Sequence, residues 1–360
     1  MSVSVPQAPV GDAAVATPRR SHPLLRYISI RFLISILLVW GVTVVTFVVT
    51  NLVPTDPVSA VLGEQAANNP EIVAALRAEM GLDQPLLTQY WLYLTRLVHF
   101  DLGMSAQTRG PVAADLARAF PATLELALFV LFFSVLLGVG LGMLAALRHQ
   151  SWLDKTIRVL SLFRISMPVF WIAMLAYYVL FYQLHWLPGS GRLDSALIPP
   201  PTVTGMYTVD SLIAGRFDLV TNAVSHLILP ALVLTLFTIG TLIRFSRSAI
   251  LDVSQQDYVQ AARAKGLPNR IINFRYILRG ASLPILTMSG LTFGSLLSGA
   301  VLTESVFSWN GLGQYAYKAA ISLDLQAIMG VGLLIGVVYI FTNFAVDLLC
   351  GLIDPRVRVQ

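Results

Sequence analysis

The side chains able to carry covalent or metal chemistry are few in this 360-residue chain, and their spacing does not bring them together. Cys350 is the only cysteine, which excludes an intramolecular disulfide and a cysteine-rich metal site. The five histidines, His22, His99, His149, His185 and His226, include no pair at the i, i+4 spacing that sets two ligands on one helix face. No G-x-S-x-G, H-E-x-x-H or G-x-x-x-x-G-K-[ST] pattern occurs, so a strained nucleophile, a zinc-binding helix and a phosphate-cradling loop are not expected. The chain reads as a non-enzyme with no metal and no cofactor of its own.

The residue pattern that does suggest a task lies in 251–283. Ser254 followed by Asp257 resembles a capping-box start, and Gly266 then Pro268 supply a helix stop, so a short helix is punctuated at both ends. Tyr258, Ala261, Ala262 and Lys265 fall on one face, where small side chains let a backbone approach a partner closely. A second amphipathic piece sets Ile271, Phe274 and Leu278 against Arg270, Arg275 and Arg279. Such a segment either docks in a groove on another protein or lies on anionic headgroups. A punctuated helix rich in alanine favours docking, because it offers little apolar area for insertion.

These residues must be positioned by apolar helices. Hydrophobic residues make up 56% of the chain, charged residues 12%, and the mean hydropathy is +0.72. Soluble domains average about 45–50% and about 25%. The net charge of +5 does not indicate nucleic acid, because the basic residues fall between apolar runs instead of clustering on one face. Six stretches, 28–53, 122–147, 168–187, 226–250, 284–307 and 327–350, reach the roughly 20 apolar residues that a helix needs to cross a bilayer. The expected fold is all-α, a polytopic membrane protein. Seventeen of the 24 Lys and Arg residues lie on the side of the N-terminus, which places both termini in the cytoplasm.

Residues 1–25 read as a disordered cytoplasmic tail, and 54–121 as a small folded cap outside the membrane. In the cap Asn69, Pro70 and Glu71 start a helix with Ile72, Ala75, Leu76 and Met80 on one face and Gly81 past its end. A second helix after Pro85 carries Leu86, Tyr90, Leu94 and Leu97. Whether the cap serves transport or decorates the surface stays open. So does the role of 188–225, where Pro199, Pro200 and Pro201 forbid regular helix.

Within the spans, Glu125, Glu304 and Asp347 sit near predicted ends and read as helix-end residues, not a proton relay. In the fifth span Thr287, Ser289, Thr292, Ser295 and Ser298 accompany Gly290, Gly294 and Gly299, a side that can pack closely or line a water path. Gly138 with Gly142, and Gly332 with Gly336, have small-xxx-small spacing suited to helix contacts.

The segment Gln260-Ala261-Ala262-Arg263-Ala264-Lys265-Gly266, with Leu283-Pro284 downstream, resembles the EAA loop of binding-protein-dependent ABC importer permeases; Gln260 stands where that motif has Glu. Further stretches are similar to the dipeptide, oligopeptide and nickel branch. They are Pro54-Thr55-Asp56-Pro57-Val58, Gly81-Leu82-Asp83-Gln84-Pro85-Leu86, Asp101-Leu102-Gly103, Leu187-Pro188-Gly189-Ser190-Gly191-Arg192, Glu304-Ser305-Val306-Phe307 with Gly311-Leu312-Gly313, and Asp354-Pro355-Arg356. Asn310 replaces a frequent proline. The resemblance spans about 26–358 and implies that 251–283 holds a coupling helix seated on an ATPase. It also implies that Tyr258, Gln260, Ala261, Ala262, Ala264, Lys265, Gly266, Leu283 and Pro284 serve that coupling, and that Thr287, Thr292, Ser295 and Ser298 line the translocation route.

The implied partners are a second homologous permease, two ATP-binding subunits that use ATP and Mg, an extracytoplasmic solute-binding protein, and inner-membrane lipid. The implied mechanism is alternating access in a peptide importer. The rival readings are a self-sufficient secondary transporter or channel, for which internal repeats and broken helices are expected, and a membrane-embedded enzyme.

Overall fold

The computed structural model describes residues 23–52, 70–79, 83–163 and 167–353. Among them the chain is helical with no strand, only an isolated bridge between Met104 and Pro111. The Asn69 cap, Met80, Gly81, the Pro54–Val58 stretch, Asp354-Pro355-Arg356 and nearly all of the expected tail lie outside the described residues.

The long helices are α1 (Pro23–Leu52), α4 (Val112–Leu147), α8 (Phe217–Ser254) and α14 (Leu325–Ile353). Between them run α2 (Pro70–Glu79), α3 (Leu86–Val98), α5 (Trp152–Phe163), α6 (Val169–Ala176, continued as a π-helix over Tyr177–Gln183), α7 (Tyr207–Ile213) and α9 (Asp257–Ala264). The remainder are α10 (Asn269–Leu278, its part from Ile272 π-helical), α11 (Ser282–Gly299), α12 (Val301–Val306) and α13 (Leu312–Ile321).

Small residues set the packing. Helices α4 and α8 run parallel and approach closely, because Gly138 and Gly142 make room for α8: a Cβ there would fall 2.7 Å from Leu242 Cβ and 2.8 Å from Ser246 Cβ. One turn away, the hydroxyls of Ser134 and Thr238 share a buried hydrogen bond of 2.6 Å. Antiparallel α1 and α14 meet where Gly336 faces Val42, and Gly290 and Gly294 of α11 press against Val346 and Tyr339 of α14. The core between α4, α8 and α11 is closed by Leu126, Val130, Leu227, Leu234, Leu297 and Trp309. Other helix faces carry bare apolar side chains, as lipid requires, and only 6% of the most apolar stretch of α1 is buried.

The six expected spans are matched in part. Among the described residues four helices are long and apolar enough to cross a bilayer, or five if Asn269–Leu278 and Ser282–Gly299, bent by 57°, count as one span. The expected third span is the 15-residue helix Val169–Gln183. At 1.5 Å per residue it reaches about 22 Å against about 30 Å of hydrocarbon. Its last turns widen to a π-helix, and the chain then reverses at His185, φ +53°. The second span begins ten residues before the predicted start, with Pro121 inside the helix.

Two ends of the bundle can be told apart. One carries α5, α9 and α10; the opposite end carries the segments 99–111, 184–216 and 300–324.

Candidate functional site

The punctuated segment forms α9, between the end of α8 and the α10–α11 elbow. Its stop is a Schellman motif: Gly266, at φ +70°, donates from its N–H to Arg263 O (2.9 Å), and Leu267 N donates to Ala262 O (3.3 Å). Its start is not a capping box. Helix α8 continues through Ser254, whose hydroxyl turns back to Leu251 O, and the N-cap position is Gln256 with no side-chain cap bond. The hydroxyl thus competes for its own helix's carbonyl instead of closing the next one.

Helix α9 splits into two faces. Val259 and Ala262 are buried, joining Met143, Ala146, Ile250, Ile272 and Ile277 in a core shared by α4, α8 and α10. Tyr258, Ala261 and Lys265, spaced i, i+3 and i+7, are exposed, with Gln260, Arg263 and Ala264 also turned outward. The expectation that Ala262 shares the outward face is therefore corrected: its small side chain allows close approach to this chain's own helices. Gln260 makes only a local bond, from Nε2 to Gln255 O.

Tyr258 also reaches inward. A Cβ on Gly280 would sit 2.5 Å from its hydroxyl oxygen, so Gly280, at the elbow, leaves room for that ring. With Leu283, Tyr276, Ser282 and two guanidinium-bearing residues, Arg275 and Arg279, Tyr258 lines a recess of about 260 Å³. Pro284 lies exposed in the first turn of α11, where its missing N–H removes no intrahelical bond.

A buried ion pair braces this end. Asp154 of α5, fully buried, accepts two hydrogen bonds from Arg247 of α8, at 2.7 Å from Nε and 2.9 Å from Nη2, and a third from Gln150 N. The bonds from Arg247 hold the Asp154 carboxyl below the usual carboxylate range, against the upward push of burial. Arg247 lies two turns before the end of α8, so the pair fixes α5 to the helix that leads into α9. Sequence reasoning passed over it, although Asp154 is the lone acid in a basic stretch with Arg158 four residues on.

Of the four residues assigned to a translocation route, Thr287, Ser295 and Ser298 lie on the exposed side of α11, and Thr292 is buried. Each hydroxyl bonds a carbonyl of its own helix. Ser295 and Ser298 border a mostly apolar recess between α11, α1 and α14.

The acids near span ends are embedded in networks. At the end opposite α9, Glu304 accepts the Thr123 hydroxyl at 2.6 Å and Gln314 N at 3.1 Å, and Thr123 Oγ1 in turn accepts Leu312 N. Beside it Glu125 accepts Arg192 at 2.7 Å and both the N–H and hydroxyl of Thr208. The Arg192 guanidinium lies 3.9 Å over the Tyr207 ring, and Trp309 Nε1 donates to Ala122 O. This network ties α4 to α7, α12 and α13. Asp347 instead pairs with Arg31 at the α9 end, at 2.7 Å, so the three acids do not form one relay.

An exposed helix face backed by a rigid core can bind and transmit force, and among the described residues nothing beside it forms a metal cluster.

Residues 138–359 match the family model described as binding-protein-dependent transport system inner membrane component. Residues 24–127 match the model for the N-terminal part of such membrane components. The chain is 44% identical over 323 residues to the probable D,D-dipeptide transport system permease protein of Escherichia coli K12, covering 89% of this chain and 94% of the relative. It is 40% identical over 337 residues to the di/tripeptide transport system permease protein of Pseudomonas aeruginosa UCBPP-PA14, covering 94% and 100%. It is 36% identical over 335 residues to the dipeptide transport system permease protein of Alkalihalophilus pseudofirmus, covering 93% and 100%.

Proposed function

This chain belongs to the inner membrane components of binding-protein-dependent transport systems, and from that premise we propose that it is the permease subunit of an ATP-driven importer of short peptides. The peptide assignment is supported by the similar proteins, which are a probable D,D-dipeptide, a dipeptide and a di/tripeptide transport system permease protein. The observation that carries the mechanism is the two-faced α9. Tyr258, Ala261 and Lys265 face outward while Val259 and Ala262 anchor the same helix in the core of α4, α8 and α10. A partner gripping the outward face would move those helices with it.

Under this reading the α9 end is cytoplasmic, as the distribution of Lys and Arg favours, and a separate ATPase receives α9. Two ATPases, a second homologous permease and an extracytoplasmic binding protein complete the machine. Nucleotide and peptide then favour different arrangements of the spans, the condition for coupling one to the other. The exposed Thr287, Ser295 and Ser298 side of α11 borders the route, shared with the second permease.

The test is purification from membranes in mild detergent, identification of co-purifying subunits, and reconstitution in vesicles. An ATPase should accompany the chain, Ala261→Trp should release it, and peptide uptake should require ATP. Uptake by the purified chain alone, without ATP, would refute the proposal.

A further inference from the structure

At the end opposite α9 a cavity of about 620 Å³ opens between the start of α4, the segment 191–199, α7 and α13. Charges of both signs line it: Asp115, Asp194, Arg118, Arg192 and Lys318. A sphere of that volume is about 11 Å across, and the volume lies within the range of small-molecule sites.

Two of these charges are fixed by the fold. The Arg192 side chain is only 9% exposed; its Nη2 donates to Glu125 Oε2 at 2.7 Å and to Gly205 O at 2.8 Å, and its Cζ lies 3.9 Å from the centre of the Tyr207 ring. Its Nε is buried with no hydrogen-bond partner among the described residues, a donor that the chain's own packing leaves unmet. The Asp115 side chain is 12% exposed, and its Oδ2 accepts the hydroxyls of Thr108 and Tyr315. Its Oδ1 meets Arg118 at 4.0 Å, too far for a hydrogen bond, so that oxygen is available to a donor entering the cavity. Asp115 and Glu125, the acid that holds Arg192, are ten residues apart on α4, about 15 Å at the helical rise. An acceptor and a cationic donor are thus set toward opposite ends of one cavity. A contact of about 3 Å at each end leaves about 9 Å between, against about 7–10 Å for two or three extended residues. Arg118 and Lys318 are exposed, where solvent and salt screen them.

We propose that this cavity receives a zwitterionic di- or tripeptide, its carboxylate at Arg192 and its ammonium at Asp115, with the peptide's side chains left toward the open mouth. Under the importer reading above, on which this rests, the cavity lies on the side from which peptide arrives. A site that reads the two termini and not the residues between them accepts many sequences.

The test uses the full chain with its co-purifying subunits in nanodiscs, without binding protein, and saturation-transfer NMR titrations of Ala-Ala, its C-terminal amide and its N-acetyl form. Blocking either terminus should weaken binding by about tenfold or more, the worth of a hydrogen-bonded charge. In Arg192→Gln the amide should bind no worse than Ala-Ala, and in Asp115→Asn the N-acetyl form should bind no worse. Ser195→Trp, at an exposed lining position clear of the Arg192 network, should abolish binding, and it carries the test if Arg192→Gln does not fold. Equal binding of all three probes, binding unchanged in Ser195→Trp, or no saturable binding overturns the site. ATP dependence of uptake is measured on the same complex in vesicles. ATP-driven uptake without terminus-dependent binding overturns the site and leaves the importer reading intact; terminus-dependent binding with uptake independent of ATP supports the site and overturns the importer reading.

Discussion

Gly266 gives the sharpest test of the coupling assignment, because its role can be separated from its size. No atom lies within 4 Å of a Cβ placed there, so substitution meets no steric wall, while φ is +70°. The cost is then conformational: about 1–2 kcal/mol for an ordinary L-residue in the left-handed region, less for asparagine, more for a β-branched residue. Two hydrogen bonds of the Schellman stop depend on that turn, from Gly266 N and Leu267 N. An alanine therefore shifts the balance between closed and frayed α9 by roughly 5–30-fold, and valine by more. Because Val259 and Ala262 anchor the helix from behind, fraying should stay local and leave insertion intact. We expect ATP-dependent uptake in vesicles to fall in the order Gly, Asn, Ala, Val at position 266, with ATPase co-purification following the same order. Equal loss in all three variants would mean that the partner needs the bare Cα of Gly266, and the conformational argument would be wrong. Unchanged uptake in Gly266→Val would remove α9 from the coupling path.

Asp154→Ala should lower stability by about 3 kcal/mol, seen as reduced thermal midpoint in detergent, because Arg247 and Gln150 N lose their buried acceptor. Asp154→Leu with Arg247→Met should recover much of that loss; additive damage from the two changes would contradict the pairing. Since the folded carboxyl titrates below its ordinary value, its stabilisation is complete above about pH 3.9 and lost as pH falls through the lower folded pKa. In Asp154→Asn that acid-induced component should vanish, and its persistence would assign it to another group. Ala262→Trp should reduce folded yield, as about 1–3 kcal/mol of overpacking falls in the chain's own core; a normally stable variant that merely loses the ATPase would show Ala262 to be a surface residue. Gly142→Leu should separate α4 from α8, since its Cβ alone would lie 2.8 Å from Ser246 Cβ, and disulfide trapping between added cysteines on the two helices would report the distance.

Composition, run length and glycine spacing were enough to define an all-helical membrane protein, to locate the cores of the long spans, and to find α9, because each follows from local chemistry. A left-handed turn requires Gly266 whatever lies nearby, and a run such as 28–53 has no favourable environment except lipid or core. Residue order alone also exposed the resemblance of 260–266 to a coupling motif. What remained hidden were relations between distant residues. Ser254 has the spacing of a cap, yet α8 runs through it and its hydroxyl bonds Leu251 O of its own helix. Ala262 looked outward by periodicity, yet α10 and α4 covered it. The expected third span is a shorter apolar helix, Val169–Gln183, whose last turns are π-helical and which is followed by His185 at positive φ. Asp154 and Arg247 are 93 positions apart, and Thr123 and Glu304 are 181 apart. No local propensity pairs them. Only the packing of helices decides which buried acid meets which donor, because the low dielectric between helices penalises every unpartnered charge.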